Sequence, residues 1–494
     1  MSSKKFLRKS SGERKSSGEN ESHKKMCEQS SVMKKRDFSG ASRRHFLKSA
    51  VLVNLLGGNF LSSLYAKQEI SEVPLAPTGG TKRNVILMIA DGAGFSTYDI
   101  TSDYMTGSPR GQIYNKEGWN FWGCSTYSES GSYVPSEMWK NFGWHLEKYT
   151  DSAAASTALH TGQKTKSGRI SRDREKRDLL TIGELASKNG FAAGTVTSVG
   201  CSHATPGAVA AHVSRRSEGN KLFGRMLWGD HLDVIIGGGH PDFDVNGKRR
   251  VNKTQKFCAY GPDEEMWKKI QKGEIPEGMR FIDSREDFQK LARNEEVPQK
   301  LLGIVPVAET FQQQRNNGMP RLDTSPTLAE AALAGLNVLN QNEKGFYLMI
   351  EGGAVDWCNH ANNLKRSVEE MVEYNEAVSA VCEWIEKYSS WEETLLIVTA
   401  DHDCGAIWGP AADQEGTLFQ RPILKGQGKL PEAKYYSNQH SNLLVPFYVR
   451  GTKAELFADR VKGKDEKAAE VFQFHGEYVD NTDVFPVARQ IFGI

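Results

Sequence analysis

Short, almost wholly apolar runs recur along this chain, and stretches of helical periodicity lie between them. The first, Val85 to Ala90 in NVILMIADG, is followed by FAAGTVTSV (Phe191 to Val199), DVIIGGG (Asp233 to Gly239) and FYLMIEGG (Phe346 to Gly353). TLLIVTADH (Thr394 to His402) and VPFYVRG (Val445 to Gly451) complete the series. Strands without a polar face belong in a sheet covered on both sides. The segments LLTIGELASKNG and SVEEMVEYNEAVSAVCEWIEKY, before the second and fifth runs, carry helical patterns. The alternation predicts an α/β fold, a three-layer sandwich with a central, mostly parallel sheet and helices on both faces. The stretches 102–147 and 240–324 are polar and break the rhythm. They are expected to be surface insertions within one domain, 83–494.

Three of the runs stop on acids. Asp91 ends the first, Glu351 the fourth, and Asp401 with His402 the fifth. The carboxyl ends of strands are where open α/β sheets bind ligands. Buried carboxylates cost several kcal/mol each unless paired or bound to a cation. The stretch EGGAVDWCNHANN adds Asp356 and His360, four residues apart and so on one side of a helical turn. His440, in NQHSN, precedes the last run. Aspartate and histidine suit zinc, and two such ions with open positions form a clamp for in-line displacement at phosphorus.

YTDSAAASTALHTG, Tyr149 to Gly162, supplies the nucleophile. Alanines make a helix that packs closely, and Thr150 or Asp151 is placed to cap it. Ser152 then falls in the first turn, among backbone N–H groups that favour an anion. A hydroxyl touching one metal is activated by it, and Ser152 is the candidate.

Before residue 83 the composition changes. Residues 1–41 are rich in Ser, Lys, Glu and Gly and cannot bury enough apolar surface to fold alone. Ser42 to Ala66 has paired arginines, then Phe46, Leu47 and Lys48, then a modest apolar run. It resembles a twin-arginine export signal cleaved near Ala66, with Met26 and Met33 open as alternative starts. The apolar run is too short and too broken by Gly and Ser to span a membrane. A Pro/Gly linker, 67–82, follows, and the expected location is periplasmic or secreted. The chain of 494 residues has 63 basic against 61 acidic residues, so a nucleic acid is not its expected specific partner. The cysteines beyond the signal (Cys124, Cys201, Cys258, Cys358, Cys382 and Cys404) show no CxxC spacing. Disulfides are open to them outside the cytoplasm, with pairing unread.

Taken in order, ADG, D-S-A-x-x-x-T-A, H-A-T-P with a downstream Arg, EGG-x-x-D-x-x-x-H, T-A-D-H and a late His resemble alkaline phosphatase from Asn84 to the C-terminus. The resemblance implies two zinc ions and one magnesium per chain, and a phosphoserine on Ser152. Asp356, His360 and His440 match the ligands of the first zinc. Asp91, Asp401 and His402 match those of the second, which also touches Ser152. Asp91, Glu351 and Thr205 match the magnesium site. Arg216 is expected to fork two N–H groups onto the phosphate, with Arg215 the alternative one residue off register. Dimers are common in such families, so a homodimer is open.

The chain departs from the pattern twice. His203 stands where some relatives carry an Asp that helps hold magnesium, which implies a less magnesium-selective third site. Trp357 stands where relatives carry Lys or His beside the phosphate. His212 is read as structural, Glu369, Glu370 and Glu373 as a solvated helix face, and Cys201, Cys358 and Cys404 as bystanders. The function expected is an exported phosphatase acting on phosphate monoesters. A phosphodiesterase or sulfatase of the same superfamily, and a non-catalytic phosphate- or zinc-binding protein, remain the alternatives. No C/S-x-P-x-R motif surrounds Ser152, and storage alone needs neither Ser152 nor Arg216.

Overall fold

The computed structural model describes residues 82–251 and 258–494. The polar N-terminus, the twin-arginine segment and the linker as far as residue 81 lie outside the described residues. In chain order the strands are β1 Asn84–Ala90, β2 Asn120–Ser125, β3 Ala192–Gly200, β4 Val234–Gly238, β5 Met279–Ile282 and β6 Lys300–Ile304. Next come β7 Phe346–Gly352, β8 Thr394–Thr399, β9 Asp403–Cys404, β10 Ile407–Trp408 and β11 Lys434–Tyr435. The last are β12 His440–Ser441, β13 Val445–Gly451, β14 Gly463–Lys464 and β15 Glu477–Asp480.

Eleven of these form one sheet in the order β14-β15-β2-β13-β8-β1-β7-β3-β4-β6-β5. From β8 to β5 every neighbouring pair is parallel. β13 runs antiparallel to both β8 and β2, and β14 antiparallel to β15. Every residue of β1, β3, β7 and β8 is buried, which explains why these runs are apolar without alternation. Helices Phe95–Thr106, Leu328–Leu339 and Leu364–Tyr388 pack together on one face of the sheet. Helices Ser152–Thr161, Ile182–Lys188 and Val484–Phe492 form the other layer. The three-layer, mostly parallel architecture expected from the sequence is the one found.

The two polar stretches do more than decorate it. The first contains β2, which sits inside the sheet between β13 and β15, and the second supplies β5 and β6 at the opposite edge. β2 begins on exposed and half-buried residues, and β5 is half-buried at its middle, so neither shows the continuous apolar signature of the central strands. Among the described residues no helix is long and apolar enough to cross a membrane. The six cysteines beyond the signal are all buried free thiols.

The acidic face of the long Leu364–Tyr388 helix is not solvated as expected. Glu369 accepts from Arg315 and Arg366, each at 2.9 Å, and Glu373 from Arg321 at 2.6 Å. Glu370 is buried between them, 5% exposed. Burial, then the charge of Glu373, pushes its carboxyl up to about 8. The arginines of the 305–326 segment cover this face, which helical periodicity alone cannot show.

Candidate active site

Register brings the acids together. Ile89, one residue before the end of β1, lies beside Glu351 of β7 on one side and Thr399 of β8 on the other. Asp91, Glu351 and Asp401 therefore emerge side by side at one edge of the sheet. The chain leaves β1 through Gly92, at φ +68°, where a Cβ would stand 2.7 Å from the Asp356 Cα. Only glycine fits that turn.

Helix Ser152–Thr161 lies beneath this edge. Asp151, not Thr150, caps it, accepting from the Ala154 N–H at 3.0 Å. The Thr150 carbonyl instead accepts from His440 Nδ1 at 2.8 Å. Ala153, Ala154, Ala155 and Ala158 are buried, so the helix sits close under the sheet. Ser152 is 1% exposed, and its Oγ lies 3.2 Å from His402 Nε2. Arg216 reaches the same place. Its guanidinium donates to Asp151 Oδ2 at 3.2 Å and to His203 Nε2 at 3.0 Å. Arg215, the neighbour one residue off register, is exposed. Asp151 thus does two jobs, as helix cap and as the partner of Arg216; the sequence showed only the first.

The expected ligands gather in three groups. In the first, on helix Ala354–His360 and strand β12, Asp356 stands 3.3 Å from His360 Nε2 and 3.4 Å from His440 Nε2. His360 Nδ1 donates to the Asn438 carbonyl at 2.7 Å, as His440 Nδ1 does to Thr150. With both Nδ1 protons so placed, the two Nε2 atoms turn lone pairs toward each other across 3.0 Å. Two lone pairs and a carboxylate converging on one point fit a cation. Burial would raise Asp356, but the adjacent His360 and His440 imidazoles outweigh it and hold that carboxyl well below the usual range.

In the second group Asp91 and Asp356 converge with His402. Asp401 Oδ2 lies 3.2 Å and Asp91 Oδ1 3.6 Å from His402 Nε2. Asp401 Oδ1 accepts from the backbone of Gly92 at 3.2 Å and of His402 at 3.0 Å, which aims Oδ2 into the site. In the third, Asp91, His203 and Glu351 converge. Glu351 accepts from Thr197, and the buried Thr205 hydroxyl has no partner among the described residues. Both Asp91 oxygens, Glu351 Oε1 and Asp401 Oδ2 are likewise buried without hydrogen bonds. Burial, then the neighbouring Asp401, Asp356 and Glu351, drives the Asp91 carboxyl well above its usual range. Burial also raises Glu351 to about 7 and Asp401 to about 6. Such a cluster stands ionised only with cations among it, and its carboxylate and imidazole donors suit divalent metals.

Trp357 brings no charge. Its ring faces His203 at 5.9 Å between centroids, and Tyr260 faces the same imidazole at 4.9 Å. Burial, then the Arg216 charge, pushes His203 down to about 3, so it is a neutral imidazole. Tyr260 comes from a polar stretch with no signal of a site, and Thr197 from the interior of β3. Cys404 also joins the first group, with its sulfur among the Asp356, His360 and His440 ligand atoms, and is no bystander in space. His212 bonds Glu184 and the Ser171 carbonyl, away from these groups.

Comparison with known proteins gives a consistent picture. The family model described as alkaline phosphatase matches residues 82–480. Alkaline phosphatase 3 of Bacillus subtilis is 27% identical over 69% of this chain and 65% of its own length. Alkaline phosphatase 4 of the same organism is 30% identical over 65% of this chain and 66% of its own. The chain thus spans just under two thirds of the length of these relatives. Among solved structures, the alkaline phosphatase of the Antarctic bacterium TAB5 superposes with a TM-score of 0.57 at 21% identity. That match covers 84% of this chain and 99% of the other, and a variant of that enzyme was solved with magnesium bound.

Proposed function

The chain belongs to the alkaline phosphatase family, and from that premise we propose that it is a metal-dependent phosphomonoesterase working through a phosphoserine on Ser152. The observation that carries the proposal is the placement of the Ser152 hydroxyl in the first turn of a capped helix, 3.2 Å from His402 and beside the gathered carboxylates. Two zinc ions, on Asp356, His360 and His440 and on Asp91, Asp401 and His402, and a magnesium on Asp91, Glu351, Thr205 and His203 would supply Lewis-acid charge to the attacking, leaving and phosphoryl oxygens. A histidine-to-aspartate variant of a relative was solved with magnesium bound, which supports a metal at the third group.

Ser152 Oγ attacks phosphorus in line; the Oγ–P bond forms as the ester P–O bond breaks and the alcohol departs. The first turn of its helix turns N–H groups toward the developing negative charge. Arg216, anchored by Asp151, presents its guanidinium to two non-bridging oxygens and fixes the phosphoryl group for attack. Water then attacks the phosphoserine phosphorus, the Oγ–P bond breaks, and inorganic phosphate leaves as Ser152 regains its hydroxyl and proton. Burial of Ser152 and its neighbours keeps bulk solvent from competing with that order of events.

The same reading includes export by the twin-arginine segment 42–66 to a periplasmic or secreted location, ahead of a catalytic domain at 83–494. Its substrates are small phosphate monoesters, and a homodimer fits the family. The test is steady-state hydrolysis of an aryl phosphate, an aryl sulfate and a phosphodiester by metal-loaded protein and by Ser152→Ala. Monoester turnover lost by orders of magnitude in an intact variant supports the proposal. Preference for the diester or the sulfate moves the function to a superfamily relative. Tight metal and phosphate binding without turnover reduces the protein to a sequestering role.

A further inference from the structure

Strands β9 and β12 form a two-residue antiparallel ribbon in which Cys404 lies directly opposite His440. Directly opposed residues of such a pair send their side chains to the same face. His440 points at Asp356 and His360, so the Cys404 thiol is carried to the same point from the neighbouring strand. The Cys404 sulfur, one carboxylate oxygen of Asp356 and one nitrogen each of His360 and His440 all lie within 4.8 Å of one another. Ligand atoms around a tetrahedral zinc stand about 3.3–3.7 Å apart, given metal–ligand bonds of about 2.0–2.3 Å. Cys404 is fully buried and free, and Asp356, 5% exposed, has its Oδ1 without a hydrogen-bond partner. The adjacent Asp403 faces elsewhere, accepting from Ser441 at 2.6 Å. Among the described residues no other cysteine belongs to any of the three ligand groups.

We propose that Cys404 gives the first metal centre a thiolate face, so that the Asp356–His360–His440 group binds soft cations such as cadmium through sulfur. The inference rests on the reading of that group as a metal centre. Nitrogen and carboxylate ligands suit zinc, and adding a thiolate shifts preference toward thiophilic ions. On binding, the thiol loses its proton to solvent and the sulfur forms a bond to the cation, with no change of oxidation state. An ion held by all four side chains has a closed tetrahedral shell, whereas catalysis needs an open position. Soft cations are therefore inhibitors that compete with zinc.

The full chain, stripped by chelator and titrated with cadmium, tests this. The expected result is a thiolate-to-cadmium ultraviolet band that saturates with occupancy of the centre. The band is lost in Cys404→Ser and kept in Cys201→Ser and Cys358→Ser. Should Cys404→Ser not fold, X-ray absorption at the cadmium edge of the native chain replaces it, and one sulfur in the shell supports the assignment. A shell of nitrogen and oxygen alone, or a band unchanged in Cys404→Ser, overturns it. If zinc still binds the native chain and is lost in Asp356→Asn, the metal centre survives that failure. If neither zinc nor cadmium binds, the thiolate face and the metal centre both fall.

Discussion

The Nε2 atoms of His360 and His440 face each other at 3.0 Å while both Nδ1 atoms bond to carbonyls. Stripped of cations, this pair and the carboxylates around it are a source of instability. Zinc at about a thousand times its dissociation constant is expected to add about 4 kcal/mol to the stability of chelated protein. Calorimetry with and without zinc measures the gain, and His440→Ala reduces it. An equal melting temperature in both conditions would contradict the cation reading of the pair.

Asp151 holds Arg216 while capping helix Ser152–Thr161. Asparagine caps as well as aspartate does, so Asp151→Asn separates the two roles. The melting temperature is expected to stay close to native. kcat/KM for an aryl phosphate falls by roughly tenfold, about 1.4 kcal/mol of transition-state stabilisation. Unchanged kcat/KM means that Arg216 finds its orientation without Asp151.

Trp357 brings no charge of its own to the wall beside His203. Trp357→His restores an ionisable group there, and inorganic phosphate is expected to inhibit that variant several-fold more tightly than native enzyme. The inhibition constants of the two proteins, measured at one pH and ionic strength, decide the matter. Equal constants would refute it.

Glu370 gives a test far from the chemistry. Burial, then Glu373, raises its carboxyl from 4.5 to about 8, so the folded chain keeps a proton that the unfolded chain has released. That contribution to stability is whole below pH 4.5 and is lost as the pH rises through about 8. Glu370→Gln removes the loss. The variant is expected to gain on the order of 1–3 kcal/mol over native at pH 9 and nothing at pH 4. Parallel stability curves for the two proteins would exclude this account.

Legibility in the sequence followed the range of the forces involved. β1, β7 and β8 announce themselves because burial on both faces demands an unbroken apolar run, and the acids ending them stand out against it. Asp356 and His360 are visible because one helical turn relates them. Cys404 meets His440 only through a ribbon two residues long, which leaves no periodic trace. Tyr260 reaches His203 from a segment whose composition resembles that of any loop. Glu370 looks solvated until Arg315 and Arg321, some fifty residues earlier in the chain, fold over it. In each hidden case the deciding neighbour is remote in sequence and the local pattern is neutral.

The position of β2 bears on the order in which the molecule can be completed. β15 reaches the sheet through β2, where Ser125 Oγ donates to Asp480 Oδ2 at 2.7 Å across most of the catalytic domain's length. β13, on the other flank of β2, also comes from the last part of the chain, just after His440. A nascent chain therefore carries Trp122 and its neighbours for hundreds of residues before their partners exist. The Asp356–His360 pair likewise waits for its second histidine. A chain cut short before His440 has neither a complete sheet nor a complete Asp356–His360–His440 group.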